Sequence, residues 1–148
     1  MKEKKEQAVD LFKEGYNCAQ SVITVFGDTT AISRETSLKV ASGFGGGMGG
    51  MQKTCGAVTA AVMVIGSYFY SREQYDGAAM KEAIREFFRM FAAKHGASSC
   101  RELTGYDMND PVQKSQALSE NVYGLKCNGF IRDSVEIIES ILPLQENN

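Results

Sequence analysis

The sequence predicts an all-α fold: a compact single-domain bundle of about five to six helices over residues 1–148, with a glycine-rich loop before a central buried helix. Three observations predict it. Apolar residues recur at helical spacing along most of the chain, and no stretch sustains the alternation of a half-buried strand. Capping and stop residues fall at the ends of the periodic segments. The 148 residues, 43% of them hydrophobic, suffice for one core and are few for two, and neither a polar linker nor an internal repeat divides them.

The first helix is expected over Lys4 to Phe26, with Val9, Leu11, Phe12, Tyr16, Ala19, Val22 and Ile23 on its apolar positions and Gly15 interrupting it. Ser33 caps a short second helix that must stop before the run Gly43 to Gly50. A third starts near Thr54, ends near Tyr70 and is apolar all round, as a central buried element would be. Asp76 opens a fourth, with Met80, Ile84, Phe87, Phe88 and Phe91 facing the core and charges facing water; Gly96 closes it. Asp110 followed by Pro111 starts a fifth, running toward Gly124. The last follows Asn128 and stops at Pro143.

Sixteen basic and 18 acidic residues, spread along the chain, leave a net charge of -2 and no electrostatic footprint for nucleic acid. The charged start lacks a secretory signal core, and the longest apolar run, Ala57 to Ile65, is about half the roughly 20 residues of a membrane helix. A cytoplasmic protein without membrane insertion is expected, a homodimer being the default assembly.

Four cysteines, Cys18, Cys55, Cys100 and Cys127, then carry the chemical signal, because thiols in a reducing compartment stay reduced unless catalytic, sensing or metal-bound. Packing as small apolar residues is the alternative. Intervals of 36, 44 and 26 residues exclude the paired Cys-x-x-Cys pattern. Asn17, Thr54 and Ser99 each precede a cysteine and are of capping types, which places Cys55 and Cys100 in first turns. There, free N–H groups and the helix dipole favour a thiolate. Lys53, Arg101 and Lys126 add nearby cations. Cys18 lacks the dipole advantage if the first helix is continuous.

Gly45 to Thr54 superficially matches a phosphate-binding loop ending in Lys-Thr, but Met51 and Gln52 separate the glycines from the lysine and no strand precedes it. The preferred reading is that bare backbone at Gly49, Gly50 and Gly56 approaches a cofactor held by Cys55. His95, the single histidine, falls in a last helical turn and suits capping.

Gly15-Tyr16-Asn17-Cys18-Ala19-Gln20-Ser21-Val22 and Gly50-Met51-Gln52-Lys53-Thr54-Cys55-Gly56-Ala57-Val58-Thr59, followed by Cys100 and Cys127, resemble the redox-active family named for its C_GCAxxG_C_C pattern. The resemblance covers nearly the whole chain and departs at Ala60, where a glycine is expected. It implies redox activity resting on the four cysteines, with oxidoreductases as gene neighbours, and does not fix a reaction. The pattern is also similar to the four-cysteine segment of split-Soret cytochromes, for which an iron-sulfur site has been proposed; Cys-x-x-Cys-His, needed for haem attachment, is missing here.

Three readings follow. In the first, Cys18, Cys55, Cys100 and Cys127 hold one metal site, an iron-sulfur cluster, that exchanges electrons with an oxidoreductase or other redox partner protein. In the second, Cys55 is the catalytic thiolate of a thiol-disulfide oxidoreductase or redox sensor, and another cysteine resolves. In the third, the cysteines hold structural zinc or belong to an interaction module without redox chemistry.

Overall fold

The computed structural model describes residues 2–144. Among them every regular element is helical, in the order α1 (Lys4–Lys13), α2 (Cys18–Thr24), α3 (Gly27–Thr30), α4 (Arg34–Val40), α5 (Gly56–Tyr70), α6 (Gly77–His95), α7 (Cys100–Thr104), α8 (Pro111–Ser119) and α9 (Asn128–Ile141). A 3-10 turn (Ser42–Phe44) precedes the glycine loop, and a π-helical turn (Tyr123–Cys127) leads into α9. None of the described helices is long and apolar enough to cross a membrane.

The all-α class is as the sequence predicts, but the nine described helices exceed the five to six expected. The extra ones come from breaks that periodicity hides. Gly15 takes φ +107°, a conformation open to glycine, and splits the predicted first helix into α1 and α2. Phe26 to Ala31 adds the single turn of α3, closed by Ala31 in the left-handed region. Ser99 caps α7, and left-handed Asn121 ends the predicted fifth helix before Gly124.

The α5 helix is the central rod, with α2, α6 and α9 packed around it and α1 laid on α9. Its small residues Ala57, Ala60 and Ala61 are fully buried, so neighbouring backbones can come close. The Ser134 hydroxyl of α9 donates to the Ala57 carbonyl at 2.7 Å, satisfying a buried hydroxyl at this contact. On the other side, Phe87 and Phe91 of α6 are fully buried, their rings stacked at 5.8 Å. The opposite face of α6 carries Arg89 paired with Glu82 and Glu86, exposed ion pairs that contribute little stability.

Four predicted caps are in place: the side chains of Ser33, Asp76, Ser99 and Asp110 accept N–H bonds in the first turns of α4, α6, α7 and α8. Thr54 does not cap α5; Cys55 itself is the N-cap residue, because Thr54 is drawn into an antiparallel bridge with Ser99.

No atom lies within 4 Å of a Cβ built on Gly15, so Gly15→Ala tests backbone conformation alone. The substitution is expected to cost about 1–3 kcal/mol in urea unfolding, and Gly15→Asn less, because asparagine tolerates positive φ.

Candidate functional site: four thiols around one cavity

Cys18 opens α2 because Asn17 builds a full capping box. The Asn17 Oδ1 accepts from the Gln20 N–H at 2.8 Å, and the Gln20 Oε1 accepts from the Asn17 N–H at 2.9 Å. The spare donors tie this start to the end of α4: Asn17 Nδ2 reaches the Ser42 carbonyl at 3.1 Å and Gln20 Nε2 the Leu38 carbonyl at 2.8 Å. The glycine loop is thereby led across Cys18. Within it, Gly46, Gly47, Met48, Gly49 and Gly50 all have φ between +61° and +75°, a left-handed turn that mainly glycine permits.

A two-residue ladder sets Cys55 beside Cys100. The Cys55 N–H donates to Ser98 O at 2.8 Å, and the Cys100 N–H donates to Lys53 O at 2.7 Å. Both cysteines then start helices, Cys55 as N-cap of α5 and Cys100 as first residue of α7. Cys127 ends the π-helical turn and stands directly before α9. Cys18, Cys55 and Cys100 therefore sit at helix starts, Cys18 contrary to a continuous first helix, while Cys127 lies inside the helical run that passes from the π turn into α9.

The four side chains line one cavity of about 530 Å³. Its remaining wall is largely apolar and amide, including Phe12, Leu103, Met108, Phe130 and Gln52, with Tyr123 and Lys114 also on it. Neither a carboxylate nor a histidine lines it. Gly50 and Gly56 of the glycines singled out by sequence are on the wall, joined by Gly46; Gly49 is not. His95 lies elsewhere, bonded to Asp133 at 2.9 Å and packed against Phe91 and Phe130.

Two glycines let backbone approach a cysteine, Gly56 at the sulfur itself and Gly47 at the Cβ. A Cβ on Gly56 would collide with the Cys18 Sγ, and one on Gly47 would fall 2.8 Å from the Cys100 Cβ. The gap at Gly56 is used: the Cys18 sulfur accepts the S–H of Cys55 and the N–H groups of Gly56, Gly46 and Ala19. These bonds hold Cys18 below the usual thiol range despite its burial. Cys55, the donor, is pushed far up by that bond and by burial. The two sulfurs share one proton, so the first ionisation belongs to the pair.

Burial raises Cys100, opposed by a hydrogen bond from Gln52, and pushes Cys127 up to about 12, opposed by the Lys126 charge. The negative charge on Cys18 contributes at Cys100, Cys127 and the Tyr123 phenol, so these groups face one another. Of the other cations near cysteines in sequence, Arg101 pairs with Asp107 at 3.3 Å and Lys53 is exposed.

Gln52 and Tyr123 were not among the residues singled out by sequence. Tyr123 shares the π-helical turn with Cys127, an element the linear pattern does not announce. Gln52 is buried with φ +57°, and nothing in the linear pattern marks it.

The loop does not offer a phosphate nest. The N–H groups of Met48, Gly49, Gly50, Gln52 and Lys53 are spent on carbonyls of residues 43–47.

All four cysteines are free. Among the described residues, no group of three or more His, Cys, Asp or Glu side chains is arranged to hold a single metal ion. The four cysteines line one cavity, with Cys18 and Cys55 against each other. An all-sulfur donor set, apolar walls and N–H groups aimed at sulfur together fit a sulfur-ligated cluster.

The fold and site define an all-helical protein that gathers four cysteines on one cavity, three of them from helix starts and one from a π-helical turn. The family model described as "Putative redox-active protein (C_GCAxxG_C_C)" matches residues 16–141, and the chain belongs to that family. No curated protein and no solved structure matches it.

In the reduced, metal-free protein, alkylation should distinguish the four. Cys18, whose thiolate is stabilised, gains reactivity first as pH rises and at lower pH than an ordinary thiol, while Cys127 stays protonated until strongly alkaline conditions. Peptide mapping after iodoacetamide pulses across pH 6 to 11, the span bracketing an ordinary thiol near 8.5, reads the order. Cys127 reacting before Cys18 contradicts it.

Proposed function

We propose that the protein is a redox carrier in which Cys18, Cys55, Cys100 and Cys127 ligate one iron-sulfur cluster. The observation that carries this reading is the convergence of all four cysteines on a single cavity whose wall bears no competing carboxylate or histidine. The cavity, about 530 Å³, favours a polynuclear group over one zinc ion. When bound, such a cluster would supply one-electron transfer at a potential set by its surroundings.

The chain's own residues would do the rest. The Gly56, Gly46 and Ala19 N–H groups already directed at Cys18 stabilise negative charge on that sulfur, and Ala57 does the same for Cys55. Phe12, Leu103 and Phe130 keep the space apolar, which strengthens those hydrogen bonds. The partner in this reading is an oxidoreductase in the cytoplasm, where the unliganded thiols stay reduced.

The Cys55 to Cys18 hydrogen bond favours a second reading, a thiol-disulfide exchanger. There the roles expected from sequence are exchanged. The Cys18 thiolate attacks a substrate disulfide and releases one thiol; Cys55 then attacks the Cys18 sulfur of the mixed disulfide and releases the second. Two thiols of the protein become one disulfide as the substrate disulfide is reduced.

Anaerobic purification with iron, sulfide and zinc analysis separates these. Brown protein with stoichiometric iron and sulfide, lost on Cys18→Ser or Cys100→Ser, is the expected result. Metal-free protein that cycles between four titratable thiols and two selects the exchanger, and colourless protein with stoichiometric zinc overturns both.

A further inference from the structure

We propose that Gln52 is the positioning residue that holds Cys100 and the chain segment 104–108 in register with the Cys18–Cys55 pair. The inference deepens the site reading above and rests on its premise that Cys100 acts together with Cys18 and Cys55.

Gln52 is buried, 5% exposed, and its carboxamide is bonded to the segment 104–108, of which Thr104 and Met108 line the cavity. Nε2 donates to the Tyr106 carbonyl at 2.8 Å and lies 3.4 Å from the Thr104 hydroxyl, and Oε1 accepts the Met108 N–H at 2.7 Å. The carboxamide also acts on the Cys100 thiol, opposing the upward push of burial there. The main chain of Gln52 is held from the other side, its N–H donating to Gly46 O at 2.9 Å and its carbonyl accepting the Arg101 N–H at 3.3 Å. One residue thus joins the glycine loop, the first turn of α7 and the loop between α7 and α8.

Its backbone points the same way. At φ +57° a residue with a Cβ is strained, and a loop that places glycine at 46, 47, 49 and 50 nevertheless carries glutamine at 52. Met48 shares this backbone but is exposed, whereas Gln52 is buried and fully engaged through its side chain. Thr104 continues the network, its hydroxyl donating to the Cys100 carbonyl at 2.8 Å.

Gln52→Gly removes the carboxamide while relieving the backbone. In reduced, metal-free protein treated with the thiol cross-linker dibromobimane, the links from Cys100 to Cys18 or Cys55 should fall about fivefold, the effect of one hydrogen bond of typical net strength. The Cys18–Cys55 link and the helical circular dichroism should not change. Undiminished Cys100 linkage, or parallel loss of the Cys18–Cys55 link, overturns the inference. If the glycine variant does not fold, Gln52→Asn, which tolerates left-handed backbone and keeps a shortened carboxamide, is read in the same way.

After reconstitution with iron and sulfide, Gln52→Glu should lower the reduction potential, because it puts a negative charge in place of a neutral amide on the cavity wall beside Cys100. An unchanged potential contradicts a contact with Cys100. If the wild-type protein takes up no iron and sulfide, the four-thiolate reading fails, and the metal-free cross-linking still decides the role of Gln52.

Discussion

The approach of the α5 backbone to the Cys18 sulfur is the contact on which the rest of the site depends. It exists because residue 56 has no side chain: a Cβ there would occupy the space of the sulfur. Removing that atom brings two helix starts together, so the first N–H groups of α5, which have no partner within their own helix, meet a thiol instead of water. The Asn17 capping box then fixes the other side of the contact, because Cys18 can occupy a first turn only if α2 begins there. The left-handed glycine turn serves the same end, adding the Gly46 N–H to the same sulfur.

Once Cys18 and Cys55 are paired, the other two cysteines are delivered by different means. Cys100 arrives through the short ladder between residues 53–55 and 98–100, a rigid connection made of main-chain bonds. Cys127 arrives on a π-helical turn, an irregular element often found at functional sites. The asymmetry extends to protonation: Cys55 is kept neutral by its bond to Cys18 and by burial, Cys100 and Cys127 are pushed up by burial, and Cys18 alone is held below the usual thiol range.

Much of this was legible from residue type. Ser33, Asp76, Ser99 and Asp110 cap where their identities say they should, because capping is decided within four residues. The buried rod α5 and the Phe87 and Phe91 stripe follow from hydrophobic periodicity. The break at Gly15 was harder to read, since apolar spacing carries on through it; the Asn17 and Gln20 pair, three positions apart, was the local sign that a new helix begins. The role of Gln52 and the π-helical turn had no local sign, because both are set by contacts with segments far along the chain, residues 104–108 in the first case. The convergence of four cysteines with 36, 44 and 26 residues between them is a tertiary fact of the same kind.

The central claim is that the four sulfurs act as one ligand set. Anaerobic crystals of reconstituted protein, measured above and below the iron absorption edge, test it directly. The account predicts iron anomalous density inside the cavity, bonded to the Sγ atoms of Cys18, Cys55, Cys100 and Cys127. Iron bound by fewer of these sulfurs, bound at another site, or absent from the cavity contradicts it.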